Sequence, residues 1–268
     1  MLMSYCALAQ RIMEQRAGAP VITMAVQPPS IVNKPYRLAE IIKETPDVDT
    51  FRFKSQDGSK LAFDPGMFVM LTWPGNGTEP KVTRAFSIAS APNSDELEFE
   101  IHMIHGRFTS KLDEAKVGDI YTVTGPHGQF RFVPKDDRRV LFIAGGTGLA
   151  PFMSMLRELR INGHDNDVTL LYSVRYPDEI IRKEELQELE AALRLKMVIS
   201  VTRPTEPRSE GWAGETGHIS PDMIKKHAPD FMDRTAYICG PLGFVKAVQE
   251  ALSQLGVPKE KVKADVWG

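Results

Sequence analysis

Two domains of different construction are expected, an antiparallel β-barrel of six strands followed by an α/β unit around a five-stranded parallel sheet. Three observations carry this expectation. Apolar residues change period near residue 136: short strand-like runs between turns come before it, and strands alternate with helices after it. The length of 268 residues is ample for two cores of ordinary size. Residues 140–151 read Val-Leu-Phe-Ile-Ala-Gly-Gly-Thr-Gly-Leu-Ala-Pro, an apolar run suited to a strand buried on both faces that passes through glycines into a helix start.

In chain order, residues 1–35 read as a poorly ordered extension and linker. A short amphipathic helix over 1–18 would place Leu2, Tyr5, Leu8, Ile12 and Met13 on one side. It fails as a secretory signal, because Arg11, Glu14 and Arg16 follow a short apolar centre. Prolines break segment 19–35, and Met24 would serve equally as a start. The barrel domain, 36–136, has candidate strands at 36–44, 49–55, 67–73, 82–90, 97–104 and 119–125, with turns at Asp57-Gly58, Pro65-Gly66, Pro74-Gly75 and Asn93-Ser94. Leu97, Phe99, Ile101 and Met103 alternate with Glu98, Glu100 and His102, which predicts one buried face. A single helix over 109–115 interrupts the strands, and six strands of this kind close as a barrel. In the second domain, 137–268, strands fit at 140–144, 168–174, 197–202, 235–239 and 262–266, and helices at 150–162, 182–194, 220–227 and 242–255. Such alternation implies right-handed crossovers and a ligand beyond the carboxyl ends of the strands.

Composition narrows the classes of function. The hydrophobic fraction is 42% and the charged fraction 25%, values of a soluble globular chain. A net charge of −2 gives no global attraction to nucleic acid or to an anionic membrane. No apolar run approaches a transmembrane length. Cys6 and Cys239, the two cysteines, lie too far apart for a disulfide framework and are too few for an iron–sulfur cluster, so a reducing cytoplasm is the default.

The chemistry begins at the glycine turn. Gly145, Gly146 and Gly148 allow a tight turn and close approach to a ligand, and Pro151 suits a first helical turn. Free amides and the positive end of a helix dipole converge there, an anion site suited to a pyrophosphate. A second motif, Arg84-Ala-Phe-Ser-Ile-Ala-Ser-Ala-Pro92, ends a barrel strand. Arg84 can pair with phosphate, Phe86 can lie on a flat ring, and Ser87 can donate to a ring nitrogen. Taken alone, that stretch reads more plainly as an edge strand with a solvated arginine and a core phenylalanine.

With these motifs in this order, the chain resembles the ferredoxin–NADP reductase superfamily of flavoproteins from about residue 36 onward. Gly106-Arg-Phe-Thr-Ser110, Gly125-Pro-His-Gly-Gln-Phe130 and Cys239-Gly-Pro-Leu-Gly-Phe244 match further family segments. The resemblance implies a flavin in the barrel: Arg84 and Ala85 at its pyrophosphate, Phe86 against the isoalloxazine or ribityl chain, and Ser87 toward N5. Ile101, His102 and Met103 would hold the ribityl and pyrimidine edge through their backbone. Gly106, Phe108, Thr109 and Ser110 would complete a phosphate cradle with the dipole of helix 109–115, which favours FAD over FMN. Phe86 departs from the family's usual tyrosine, keeping the packing surface without the hydroxyl.

On the nicotinamide side, the resemblance implies Gly146, Thr147, Gly148 and Pro151 at the pyrophosphate, with Cys239, Gly240, Pro241 and Phe244 shaping the nicotinamide pocket. Trp267 takes the place of a near-terminal aromatic that stacks on the flavin; with Ser87 and Cys239 it stands nearest the chemistry. Arg175 and Arg203 match positions that bind a 2′-phosphate and favour NADPH. A third family arginine is replaced by His218, with Arg208 as its substitute, and Asp178 and Glu179 speak for NADH. The implied activity is hydride transfer from NADPH or NADH to bound FAD, then electron transfer to a separate carrier such as ferredoxin or flavodoxin, since neither terminus carries the cysteines of a fused iron–sulfur domain. Basic residues Arg37, Lys43, Lys81, Arg107 and Lys111 offer a docking face, or simply a solvated one. A free-flavin or quinone reductase and a non-catalytic nucleotide-binding subunit of a larger complex are the alternatives. No acid–base pair or metal is required.

Overall fold

The computed structural model describes residues 29–267. The helix read over 1–18, Cys6, most of segment 19–35 and Gly268 lie outside the described residues. Two six-stranded sheets follow one another along the chain.

The first is antiparallel and runs β4-β3-β6-β1-β2-β5, from β1 (Val32–Thr45), β2 (Val48–Ser55), β3 (Phe68–Trp73), β4 (Val82–Ser87), β5 (Glu96–His102) and β6 (Ile120–His127). Leu38, Phe51, Phe53, Val69, Leu71, Phe99, Ile101, Tyr121 and Val123 fill its interior, every one of them at most 2% exposed. The closed barrel expected from the strand count is half open. Between β4 and β5 no ladder forms, and just past the end of β4 the Ala89 amide donates to the Glu98 carbonyl at 2.8 Å. The short helix α1 runs Thr109–Asp113, two residues less than expected at its end.

The second sheet is parallel in the order β10-β9-β8-β7-β11-β12. It comprises β7 (Arg139–Gly145), β8 (Asp167–Val174), β9 (Leu195–Val201), β10 (Glu215–Thr216), β11 (Thr235–Pro241) and β12 (Val262–Trp267). Helices α2 (Ala150–Asn162), α3 (Lys183–Ala192), α4 (Pro221–His227) and α5 (Leu242–Gln254) cover its faces with two apolar clusters. Strand β10 is the sixth, where five were expected; two residues with no apolar pattern leave nothing for periodicity to detect. Strand order reverses at β7, which lies between β8 and β11, so a crevice opens beyond its carboxyl end. The chain crosses that point in a 3₁₀ turn, Gly146–Leu149, before α2 begins with Pro151 in its first turn and ends at Gly163 with φ +63°.

The two sheets share a dense contact. Val48 and Ala89 join the apolar cluster of the α/β unit, and Phe130 and Phe132 pack edge-on against Tyr237 at 5.4 and 5.9 Å. Glu98 and Glu100 overturn the alternation read from the sequence. The face of β5 expected to be solvated is buried against the α/β unit, with both residues 5% exposed. Arg157 of α2 donates to Glu98 at 2.6 Å, to Glu185 twice at 2.6 Å and to the Ala89 carbonyl at 2.8 Å. Burial would raise the Glu98 carboxyl, but Arg157, Arg182 and Arg52 outweigh it and hold the group low. No helix among the described residues is long and apolar enough to cross a membrane.

Candidate functional site

Two cavities meet at the crevice. The larger, about 570 Å³, opens beyond the ends of β7, β8 and β11 and is walled by Gly146, Thr147, Arg175, Glu179, Pro241 and Phe244. The second, about 360 Å³, lies on the barrel and is walled by Arg84, Ala85, Phe86, Ser87, Ile101, Gly106, Phe108 and Thr109. His102, Thr147 and Trp267 border both. Two sequence-distant motifs therefore open onto one continuous space.

On the barrel side, Arg84 is exposed and has no carboxylate partner among the described residues, which leaves its charge available to a phosphate. Phe86 packs on Phe108 at 5.3 Å, fixing the ring that forms the cavity wall. Ser87 borders this cavity, and burial pushes the nearby Asp265 carboxyl above the usual carboxylate range. Met103 is buried and borders neither cavity, and Ser110 faces a neighbouring depression with Trp73 and Lys111. The Gly106 amide donates to Thr109 Oγ1 at 2.8 Å, so one amide of the expected cradle is already engaged.

On the nicotinamide side, Gly146 has φ +55° and open space where a Cβ would stand. Gly148 instead abuts the backbone of β11: a Cβ there would lie 2.2 Å from the Cys239 oxygen. Gly148, Pro151, Arg203, Cys239 and Gly240 border neither cavity. Cys239 is wholly buried, and burial together with the neighbouring Asp265 charge pushes its thiol well up, which disfavours the thiolate. Arg175 is not free for a phosphate. Its Nη2 donates to Asp47 at 2.7 Å and its Nε to Glu179 at 2.9 Å. Burial would raise the Asp47 carboxyl, but bonds from Arg175 and His102 hold it below its ordinary range. Arg203 donates to the Tyr176 hydroxyl at 2.9 Å, and Arg208 is bidentate on Asp178 at 2.8 and 2.9 Å while lying 4.0 Å over the Tyr176 ring.

Asp47 and Glu100 border the cavities and were missed by sequence reasoning, whereas Glu179 was read only for its bearing on the choice of nucleotide. Asp47 sits in a turn and carried no signal. The Trp267 indole N–H is buried without an acceptor, an orphan donor at the junction of the cavities. Together with the uncommitted Arg84, it fits these walls to a flat ring carrying acceptors and a pyrophosphate. Trp267→Ala should raise flavin fluorescence and change the NADH-to-NADPH ratio of kcat/KM by about tenfold, roughly 1.4 kcal/mol. Unaltered spectra and ratio would remove Trp267 from the site.

Two abutting cavities, one on a barrel edge and one at the switch point of a parallel sheet, define an oxidoreductase that brings a flavin and a nicotinamide nucleotide together. The Oxidoreductase FAD-binding domain family matches residues 35–132, and the Oxidoreductase NAD-binding domain family matches residues 142–250. The chain belongs to the ferredoxin–NADP reductase superfamily and uses FAD and a nicotinamide nucleotide. It is 31% identical over 238 residues to Ferredoxin--NADP reductase B of Sorangium cellulosum (strain So ce56), covering 85% of this chain and 95% of that protein. It is 32% identical over 236 residues to the glycine betaine monooxygenase reductase subunit of Pseudomonas aeruginosa (strain UCBPP-PA14), 87% of this chain and 63% of that one. The chain thus spans less than two thirds of that relative's length. The ferredoxin reductase in carbazole 1,9a-dioxygenase superimposes with a TM-score of 0.76 at 28% identity, covering 89% of this chain and 70% of that one.

Proposed function

We propose that this chain is a reductase that takes electrons from a nicotinamide nucleotide through FAD and delivers them to a separate protein, an oxygenase component or a small carrier of the ferredoxin or flavodoxin kind. The observation that carries this reading is the junction of the cavities at His102, Thr147 and Trp267. Relatives named as reductase subunits of monooxygenases support an oxygenase at the receiving end. We assign the flavin to residues 36–136 and the nicotinamide nucleotide to residues 137–268, a division supported by the matches at 35–132 and 142–250. The buried free thiol of Cys239 supports placement in a reducing cytoplasm.

When bound, FAD accepts a hydride and gives up its electrons one or two at a time. The chain supplies orientation and shelter. Arg84 offers the fixed charge for the flavin pyrophosphate, and Phe86 backs the ring. Ser87, on the wall of the barrel cavity, keeps a hydroxyl at the ring edge. Gly146 leaves room for the nicotinamide nucleotide's pyrophosphate, and Trp267 keeps water from the junction.

The carboxylates around Arg175 and Arg208 turn the nucleotide preference toward NADH. A 2′-phosphate would have to displace Asp47, Glu179 or Asp178, whereas a 2′-hydroxyl can donate to them. With FAD bound, the chain should reduce ferricyanide with NADH, with kcat/KM about tenfold or more above that for NADPH, and retain its yellow colour on gel filtration. Failure to oxidise either nucleotide would overturn the reading; an NADPH preference would overturn the role given to the carboxylates.

A further inference from the structure

A third depression, about 260 Å³, adjoins the barrel cavity and has no part in the activity derived above. Trp73, Pro80 and Val82 give it an apolar wall, and Glu79, Ser110 and Lys111 bring polar groups to it. Arg107 borders this depression and the barrel cavity alike, so the two are neighbours. Arg107 is exposed and has no carboxylate partner among the described residues. It stands free for an anion between the two spaces.

The depression is firmly built. Trp73 and Val82 face each other across β3 and β4, and both pack on the barrel core. Lys111 lies 5.1 Å from the centre of the Trp73 ring and bonds Glu79 at 2.7 Å. Asn76 Oδ1 accepts from the Glu79 amide at 2.8 Å, which fixes the loop that carries Glu79. The bond from Lys111 holds the Glu79 carboxyl below its ordinary range, so it is an acceptor at neutral pH.

Strand β4 sets the order of the parts. Val82, Arg84 and Phe86 alternate onto one face of it. At the rise of an antiparallel strand, Val82 stands roughly 13 Å along β4 from Phe86, with Arg84 midway. A flat ring against Phe86 and a pyrophosphate at Arg84 therefore direct the remaining half of a dinucleotide toward Val82 and Trp73. A purine has apolar faces and an amine at its edge. Trp73, Pro80 and Val82 offer the surface it needs, and Glu79 offers an acceptor for the amine. Ser110 and Lys111 offer partners to a ribose.

We propose that the Trp73 depression is an adenosine pocket continuing the flavin site, and that it makes this chain select FAD over FMN. This rests on the barrel cavity being the flavin site.

The test is the dissociation constant of FAD and of FMN for the full chain freed of flavin, each by fluorescence titration. The unaltered chain should bind FAD at least about tenfold more tightly than FMN. Trp73→Ala should raise the FAD constant by about tenfold and leave that of FMN, which lacks the adenosine half, within about twofold. Trp73→Phe, which keeps a flat ring, should restore most of the FAD affinity. Should Trp73→Ala not fold, Glu79→Ala on the exposed loop decides: about a fivefold rise for FAD and none for FMN. Equal constants for the two flavins in the unaltered chain would overturn the proposal while leaving the flavin site intact. So would a Trp73→Ala chain whose two constants rise alike or stay level. Absence of binding of either flavin would instead overturn the flavin reading itself.

Discussion

Replacing Arg157 with Met is expected to lower stability by about 3 kcal/mol, because it leaves buried carboxylates short of their principal cation. Glu98 is 5% exposed, and Arg157 is the residue that joins it to Glu185 and to the Ala89 carbonyl. Arg52 and Arg182 remain beside Glu98, which keeps the loss near the lower end of the range for broken buried pairs. For a chain of this size that corresponds to a Tm drop of roughly 6–12 °C. Calorimetric scans of the two proteins at pH 7 would check it, and a drop below about 2 °C would mean that the cluster contributes no more than surface pairs do. The effect should fade in acid. Glu98 is held below its unfolded range, so its contribution is complete above the ordinary carboxylate pKa and is lost as pH falls through the lower folded value.

Gly148→Ala is the second large effect expected. Its Cβ would stand 2.2 Å from the Cys239 oxygen, 2.5 Å from the Cys239 carbonyl carbon and 2.8 Å from the Gly240 Cα, all backbone atoms that no rotamer can move aside. The Gly146–Leu149 turn must lift away from β11, at a cost of roughly 1–3 kcal/mol. Because that turn forms one wall of the larger cavity, the dissociation constant for NADH should rise by about tenfold or more, while that for FAD stays within about twofold. Titration of each nucleotide separately decides the matter. Equal losses for both would show a general collapse, and an unchanged NADH constant would show that the turn adapts. Gly148 thus acts from behind the cavity, by setting how closely the turn sits on the sheet.

Much of the second sheet was legible because its signals are local. Helix α2 runs over the residues expected because Pro151 opens it and Gly163 closes it, and the apolar runs of β7, β8 and β11 need no partner to be seen. What escaped was settled at long range. Arg175 meets Asp47 across 128 positions, and no spacing rule announces that an arginine placed for a phosphate is already paired. Glu98 and Glu100 carried a correct alternation and the wrong conclusion, since a charged strand face is solvated only if nothing docks on it. Cys239 was drawn toward the chemistry by its neighbours in sequence, yet its strand turns it into the core. Arg84, Phe86 and Trp267 border the barrel cavity from edge strands, where exposed or half-buried residues have few ways to be structural.

Strand β5 has no free side: aromatic residues fill the barrel beneath it and guanidinium groups clasp it from above. The halves of this molecule are therefore poor modules. A hybrid joining this barrel to the nucleotide half of a distant cousin would strand two carboxylates in a dry seam unless arginines equivalent to 157 and 182 travelled with the graft. Drift at either side of that seam should have to be answered on the other, so the two halves are expected to be inherited as a unit.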